Sequence, residues 1–329
     1  MTITPVRHAI TLFAAVLAAS FAGFTGQVAA QDYPGKPIRL ISPYQPGGST
    51  DLALNLFRER LTAKWGQPVI VEYRPGAAGT IGSEMVFRSP ADGYTLLLAP
   101  TATVTATKYL YTKIRYDPAQ FTAITLISEM PNILVVHPGV PAQNLQQLID
   151  YARANPEKMN HAVAGEGGPA HLAAETLQIM TGTKITKVPY NAGAGPAMTA
   201  LIGGHVQMAF QLMSIALPHV RAGTIRALAV GSEKRSPLLP DVPTMSETLP
   251  GFISMNSSGV VGPPDMPPVV VAKISAALAE ILRDPAVAKR FLDTSATAIG
   301  NTPAEHAAYL KRESDMAGKT IRTIGLTLD

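Results

Sequence analysis

No cysteine occurs in the 329 residues, which excludes disulfides, thiolate catalysis and cysteine-ligated metals and leaves stability to packing. Charge is sparse: 15% of the residues are Asp, Glu, Lys or Arg, and their balance is only +4. So small and scattered an excess argues against nucleic acid or an anionic membrane as partner. No Walker A sequence, G-x-S-x-G elbow or H-E-x-x-H motif is present. The histidines beyond residue 30, at 137, 161, 171, 205, 219 and 306, do not stand at metal-ligand spacing, so neither a metal nor a cofactor is expected. A secreted α/β hydrolase or lyase would need a nucleophile, a base and an orienting group, and these residues do not assemble that set.

Hydrophobic residues make up 47% of the chain, with 27 glycines and 28 prolines, a composition of packed core and many turns. Residues 1–30 read as a leader. Arg7 and His8 precede an apolar run from Ala9 to about Ala22, too short for a comfortable membrane span, and Val28-Ala29-Ala30 fits a signal-peptidase site. The expectation is an exported, periplasmic protein cleaved near Ala30. From Pro37 onward, short β-type runs alternate with helical patterns, which predicts parallel βαβ units. Strands are expected at Ile38–Ile41, Val69–Tyr73, Tyr94–Ala99, Ile133–Val136, His161–Ala164, Ile185–Tyr190, Val206–Phe210 and Ile225–Val230. A polar-faced helix over Asn144–Ala154 and a long amphipathic one over Pro268–Arg283 complete the pattern.

The loops after several strands share a composition of Gly, Ala, Ser, Thr and Asn, and each opens a helix. SPYQPGGSTD, residues 42–51, is the first: Gly47 and Gly48 expose backbone, Ser49 and Thr50 add hydroxyls, and Asp51 braces the first turn. Ligands of open α/β sheets bind at such strand ends, where helix N-termini offer unpaired N–H groups to anions. Gly165-x-Gly167-x-x-Ala170 also fits a relaxed dinucleotide fingerprint, but no acidic residue follows at the required distance, so a dinucleotide site is set aside. Arg74, the one basic residue in a candidate loop, has two readings: a partner for a ligand carboxylate, or for Glu72 or another acidic neighbour.

IRLISPYQPGGSTD, RPGAAGTIG, ADGYTLLLA, HLAAE, VPYNAGAGPAMTALIGGHV, IRALAV and LPDVPTMSE together resemble the substrate-binding proteins of tripartite tricarboxylate transporters, the Bug family. The resemblance runs from about Tyr33 to the C-terminus. It implies a two-domain periplasmic-binding-protein fold, α/β, each domain a mostly parallel sheet flanked by helices, closing on a small carboxylate. The expected division is 31–130 plus 241–329 as domain one and 131–240 as domain two, with crossings near 128–132 and 236–241. The implied function is delivery of an organic acid to membrane permease subunits by a monomeric, non-enzymatic receptor. The alternative is a sensor subunit that reports to a membrane kinase through the same cleft.

Carried over by motif, the resemblance points to Tyr44, Gly47, Gly48, Ser49, Thr50 and Asp51 in the first loop and to Thr101 and Ala102 after the third strand. In the second domain it points to Gly165, Glu166, Gly167, Gly168, Ala170 and His171, with Asn191 and Gln211 completing the wall. Three departures from the family pattern bear on specificity. Glu166 interrupts a loop of small residues, and it either meets a ligand amine or faces solvent. Gln211 stands where an Asp is common, and serines at 257 and 258 stand where many members carry a tryptophan. His171 either touches ligand or packs against its loop.

Overall fold

The computed structural model describes residues 33–46, 50–156, 158–190 and 193–328. The leader expected over residues 1–30 and the candidate residues Gly47, Gly48, Ser49 and Asn191 lie outside the described residues.

Three parallel strands begin the chain, β1 (Ile38–Ser42), β2 (Val69–Tyr73) and β3 (Thr95–Pro100), in the spatial order β2-β1-β3. Helix α1 (Asp51–Trp65) and helix α2 (Thr80–Phe87) make the crossovers. Both sheet faces are covered, so alternate side chains of one strand enter different cores. Leu40, Leu96 and Leu98 pack with Leu54, Phe57, Ile274 and Leu278. Ile41, Leu97 and Ala99 point the other way, to Val86, Tyr116 and Phe121. Two buried faces explain why these strands read as near-continuous apolar runs.

After a short helix α3 (Thr107–Leu110) comes β4 (Thr122–Val136), 15 residues and about 50 Å long at the rise of an extended chain. Only its last four residues are expected as strand from sequence; Thr122–Ile127 is also rich in β-branched and apolar residues, and Met130-Pro131-Asn132 splits the two runs. Proline has no N–H to give to a ladder, and it sits where β4 changes partners. Up to Pro131 the strand pairs with β9 (Met255–Gly262), and from Asn132 onward it pairs with β7 (Met208–Leu212) and β8 (Arg226–Val230). β9 in turn runs antiparallel to β3. Its sequence, MNSSGVVG, carries little β propensity, and pairing on both edges supplies the order that propensity does not.

Beyond β4, helix α4 (Leu145–Ala154) starts at Asn144, whose side chain accepts from the Gln147 N–H. β5 (Asn160–Val163), α5 (Pro169–Thr181), β6 (Thr186–Pro189) and α6 (Ala194–Ile202) follow, then β7, α7 (Met213–Arg221) and β8. β6, β5 and β7 are parallel; β4 is antiparallel to β7 and β8. Here too the strands feed two cores, Leu134 and Phe210 to one and Ile133, Val135 and Ala209 to the other.

The C-terminal part returns to the first sheet. Helix α8 (Pro268–Arg283) buries Ile274 and Leu278 on it, and α9 (Pro285–Asp293) and the two-residue strand β10 (Thr297–Ala298) follow. Helix α10 (Pro303–Ile324) opens on a capping box between Thr302 and Glu305 with Pro303 in its first turn, and stops at Gly325 in left-handed conformation. Gly318, within α10, lies against the Tyr109 ring so closely that a Cβ would stand 2.5 Å from it. Among the described residues, no helix is long and apolar enough to cross a membrane.

A candidate ligand cleft between two half-sheets

A cavity of about 560 Å³ separates the β1–β3 half of the molecule from the β5–β7 half. On the first side it is lined by Tyr44, beyond the end of β1, and by the turn from Pro100 to Ala106 that closes β3. On the other it is lined by Gly168 and Pro169 at the start of α5 and by Leu172, Ala173 and Thr176 along that helix. Residues 250–257, on the way into β9, form a third wall, and Glu313, Met316, Lys319 and Thr320 of α10 a fourth. The two helices meet at one edge, where the hydroxyls of Thr176 and Thr320 are 3.0 Å apart.

Short polar side chains hold the first wall. Tyr309 donates to Ser257 Oγ at 2.9 Å, and Ser257 donates to Thr101 Oγ1 at 2.7 Å. Burial pushes the Tyr309 phenol far up, and the carboxylates of Glu313 and Glu129 push it further, so it stays a neutral donor. Tyr44 spans from Thr103 Oγ1 at 2.8 Å to the Ala78 carbonyl at 3.2 Å, with burial raising its pKa too. Glu313 itself is raised, first by burial and then by Glu129, against the opposing pull of Arg312.

The second wall begins at Gly168, the N-cap of α5, followed by Pro169. Leu172 N–H is bonded to the Gly168 carbonyl at 3.0 Å, so the amides of Ala170 and His171 precede the first α-helical bond. Below them, Gly167 N–H donates to His171 Nδ1 at 3.0 Å, and His171 Nε2 stands 3.3 Å from Glu175 Oε1. An accepting Nδ1 places the ring proton on Nε2, where it reaches the carboxylate. His161 lies beside this pair, 3.9 Å from Glu175, and burial pulls its pKa down to about 4. No group of three side chains suited to a metal exists among the described residues.

Of the residues singled out from sequence, Tyr44, Thr101, Ala102 and Gly168 line the cavity together. Thr50 is buried at the N-cap of α1, and Asp51 stands near Tyr73; neither lines it. Gly165, Ala170 and His171 do not line it: Gly165 is exposed to open solvent, His171 is buried, and Gly167 packs on Leu110 and Leu328. Glu166 is ion-paired with Lys187 of β6, which lowers its pKa. Gln211 is buried on β7 opposite Ile133, outside the lining. Arg74 and Arg39 both hold Glu72, at 2.8 and 2.6 Å, and bring its carboxyl down to about 2, Arg39 contributing most. The face that α10 turns to the cavity was missed from sequence. Its amphipathic period is legible, but nothing local says that part of its inner face borders an open space.

The family model described as the tripartite tricarboxylate transporter family receptor matches residues 55–326. The chain belongs to that family. It is a substrate-binding receptor, not an enzyme, in a mixed α/β fold of two helix-flanked parts. Among relatives of this receptor, Protein BugT of Bordetella pertussis is 34% identical over 310 residues, covering 93% of this chain and 95% of BugT. The solved structure of R. palustris Rpa4515 with adipate is similar at 31% identity and a TM-score of 0.73, over 90% of this chain and all of that one. MatC (Rpa3494) from Rhodopseudomonas palustris with bound malate is similar at 29% identity and a TM-score of 0.69, over 88% of this chain and 100% of that one.

Proposed function

We propose that this receptor is exported, loses its leader near Ala30, and works as a monomer in the periplasm. There it captures a small organic acid between its two halves and delivers it to the membrane permease subunits of a tripartite transporter. The observation that carries the reading is the cavity itself, walled by the strand-end turn at Thr101 and by the N-cap of α5 at Gly168. A helix start presents free amides and roughly half a positive charge, and so holds a carboxylate without a buried lysine or arginine and without the cost of desolvating one. The relatives' complexes with adipate and malate support an organic acid as the ligand class.

Release and capture would come from one half rocking on the other. The bodies expected from sequence are 31–130 with 241–329, against 131–240. We keep the first join and move the second to about Ser254. Leu238, Leu239 and Val242 pack with Ile133 and Ala209, and Met245 and Phe252 pack with Leu134 and Phe210, which supports assigning them all to the second body.

Two experiments test this. The chain from Gln31 onward, refolded to strip carried ligand, is expected to gain several degrees in thermal midpoint from an organic acid and nothing from neutral sugars. A ligand at 100 times its Kd adds about 2.7 kcal/mol. Stabilisation by sugars alone would refute the reading. Secondly, Gly168→Asp sets a carboxylate at the N-cap, where φ −74° and ψ 165° suit it. Asp caps helices well, so it is expected to occupy the α5 amides itself, keeping the fold and abolishing acid binding. A Gly168→Asp protein that binds acid as tightly as the parent would remove the α5 start from the site.

A further inference from the structure

His171 is 2% exposed and does not line the cavity, so it cannot touch a ligand there. It is the third residue of α5, after Pro169 and Ala170, and its ring turns back under the loop that leads into the helix. Its Nδ1 accepts from the buried N–H of Gly167 at 3.0 Å, a donor that the helix itself leaves without a partner. This is half of a capping box, made one residue further out and with an imidazole in place of the usual carboxylate. On its other side Gly167, at φ +73°, packs so closely that a Cβ would stand 2.7 Å from Leu110 and 3.0 Å from Leu328. The next amide, Gly168 N–H, is turned to the Gly165 carbonyl at 3.3 Å. The N–H groups of Gly167 and Gly168 are thus used inside the loop, and Pro169 has none. The first amides left for a ligand are those of Ala170 and His171.

The ring can accept in one tautomer only, since a proton on Nδ1 would face the Gly167 N–H. Glu175, one turn further along α5, selects that tautomer: its Oε1 stands 3.3 Å from Nε2 and draws the ring proton there. The bond from His171 in turn holds the Glu175 carboxyl below the ordinary carboxylate range, so it stays an anion. Two neighbours leave the pair undisturbed. His161 of β5 lies 3.9 Å from the same oxygen, but burial favours its neutral form, and Lys187 of β6 is taken by Glu166. We propose that His171 is a positioning residue of this receptor: by accepting from Gly167 it fixes the loop 165–168 in the setting that aims the α5 amides into the cleft, and Glu175 keeps its ring able to accept. Without the acceptor, the Gly167 N–H has to turn toward water, and Gly168 turns with it. The assignment rests on the reading that the α5 start holds the carboxylate.

The test combines calorimetric titration with malate, adipate, citrate and benzoate, amide exchange at Gly167, and ring-nitrogen NMR shifts of His171 in the wild type at neutral pH. His171→Leu has no acceptor and is expected to leave the Gly167 amide unprotected and to weaken acid binding about tenfold or more. His171→Asn sets its Oδ1 where Nδ1 stood; it is expected to keep Gly167 protected and to bind within about threefold of the wild type. The wild-type ring is expected to carry its proton on Nε2, a reading that needs no variant to fold. A ring protonated on Nδ1 overturns the assignment, as does a leucine variant that binds like the wild type. So does an asparagine variant that protects Gly167 yet binds as weakly as the leucine one. Each of these leaves the receptor reading intact. A wild type that binds none of the four acids overturns that reading, and the assignment with it.

Discussion

Acidification reads two buried histidines. His161 and His306 are both 0% exposed, and none of their ring nitrogens has a hydrogen-bond partner among the described residues. His306 sits among Ala99, Val104, Val261 and Leu310, where burial pulls its pKa down to about 3; His161 is pulled down to about 4. A depressed histidine binds its proton more tightly in the unfolded chain, so its contribution to stability is complete above pH 6.5 and lost as pH falls from there toward the folded value. Between pH 6.5 and 4.5 each group costs about 2.5 kcal/mol, or ~5 kcal/mol for the pair, comparable with the whole stability of many domains. Glu129 and Glu313, whose pKa values burial raises, take protons readily in the fold and trim that loss. The depressed carboxyls of Glu72 and Glu247 stabilise the fold above pH 4.5 and lose that contribution only below it, so this window belongs to the histidines. Urea unfolding at pH 7.0, 5.5 and 4.5 measures the effect, and His306→Leu, which fills the apolar site without a titrating ring, is expected to remove about half of the slope. A stability change under about 1 kcal/mol across the window would refute the reasoning, because each of the two protonations alone should exceed that.

Two further outcomes test the join and the cleft wall. Gly231 is knitted to both crossing segments, its N–H to the Asn132 carbonyl at 2.7 Å and its carbonyl to the Ser254 N–H at 2.9 Å. A methyl there would press into the Ser254 carbonyl and lie 3.0 Å from Asn132's, so Gly231→Ala is expected to cost about 2 kcal/mol or more in urea unfolding; an unchanged midpoint would show that the crossing yields freely. Ser257→Ala removes the acceptor of Tyr309 and the donor to Thr101, and should cost about 1–2 kcal/mol while weakening acid binding. Unaltered stability and affinity together would mean that this chain of hydroxyls does not order the Thr101 turn.

What the sequence discloses depends on how locally each feature is determined. Leu40 and Ile41 belong to opposite cores of a sheet covered on both sides, so the run Ile38–Ile41 marks itself as a strand without knowledge of its neighbours. Asn144 announces α4 by capping it from within three residues. Tyr44, Thr101 and Gly168 are legible as cleft residues for a related reason: each follows a strand at its carboxyl end, and in α/β sheets that position alone aims a loop at the ligand side. β9 fails this standard, since its serines and glycines become strand only when the partner on each side is already in place. Glu166 shows the limit most sharply. Its loop composition suggests a carboxylate aimed at ligand, but Lys187, 21 residues later and brought alongside by the β5–β6 pairing, takes it instead. Glu313 is the converse, an unremarked acid on a long amphipathic helix. Its raised pKa follows from burial and from Glu129, which arrives from the middle of β4, against the pull of Arg312 beside it. Backbone features of the cleft are thus written within a few residues of themselves, while its side-chain electrostatics are set by pairs from about twenty to nearly two hundred residues apart.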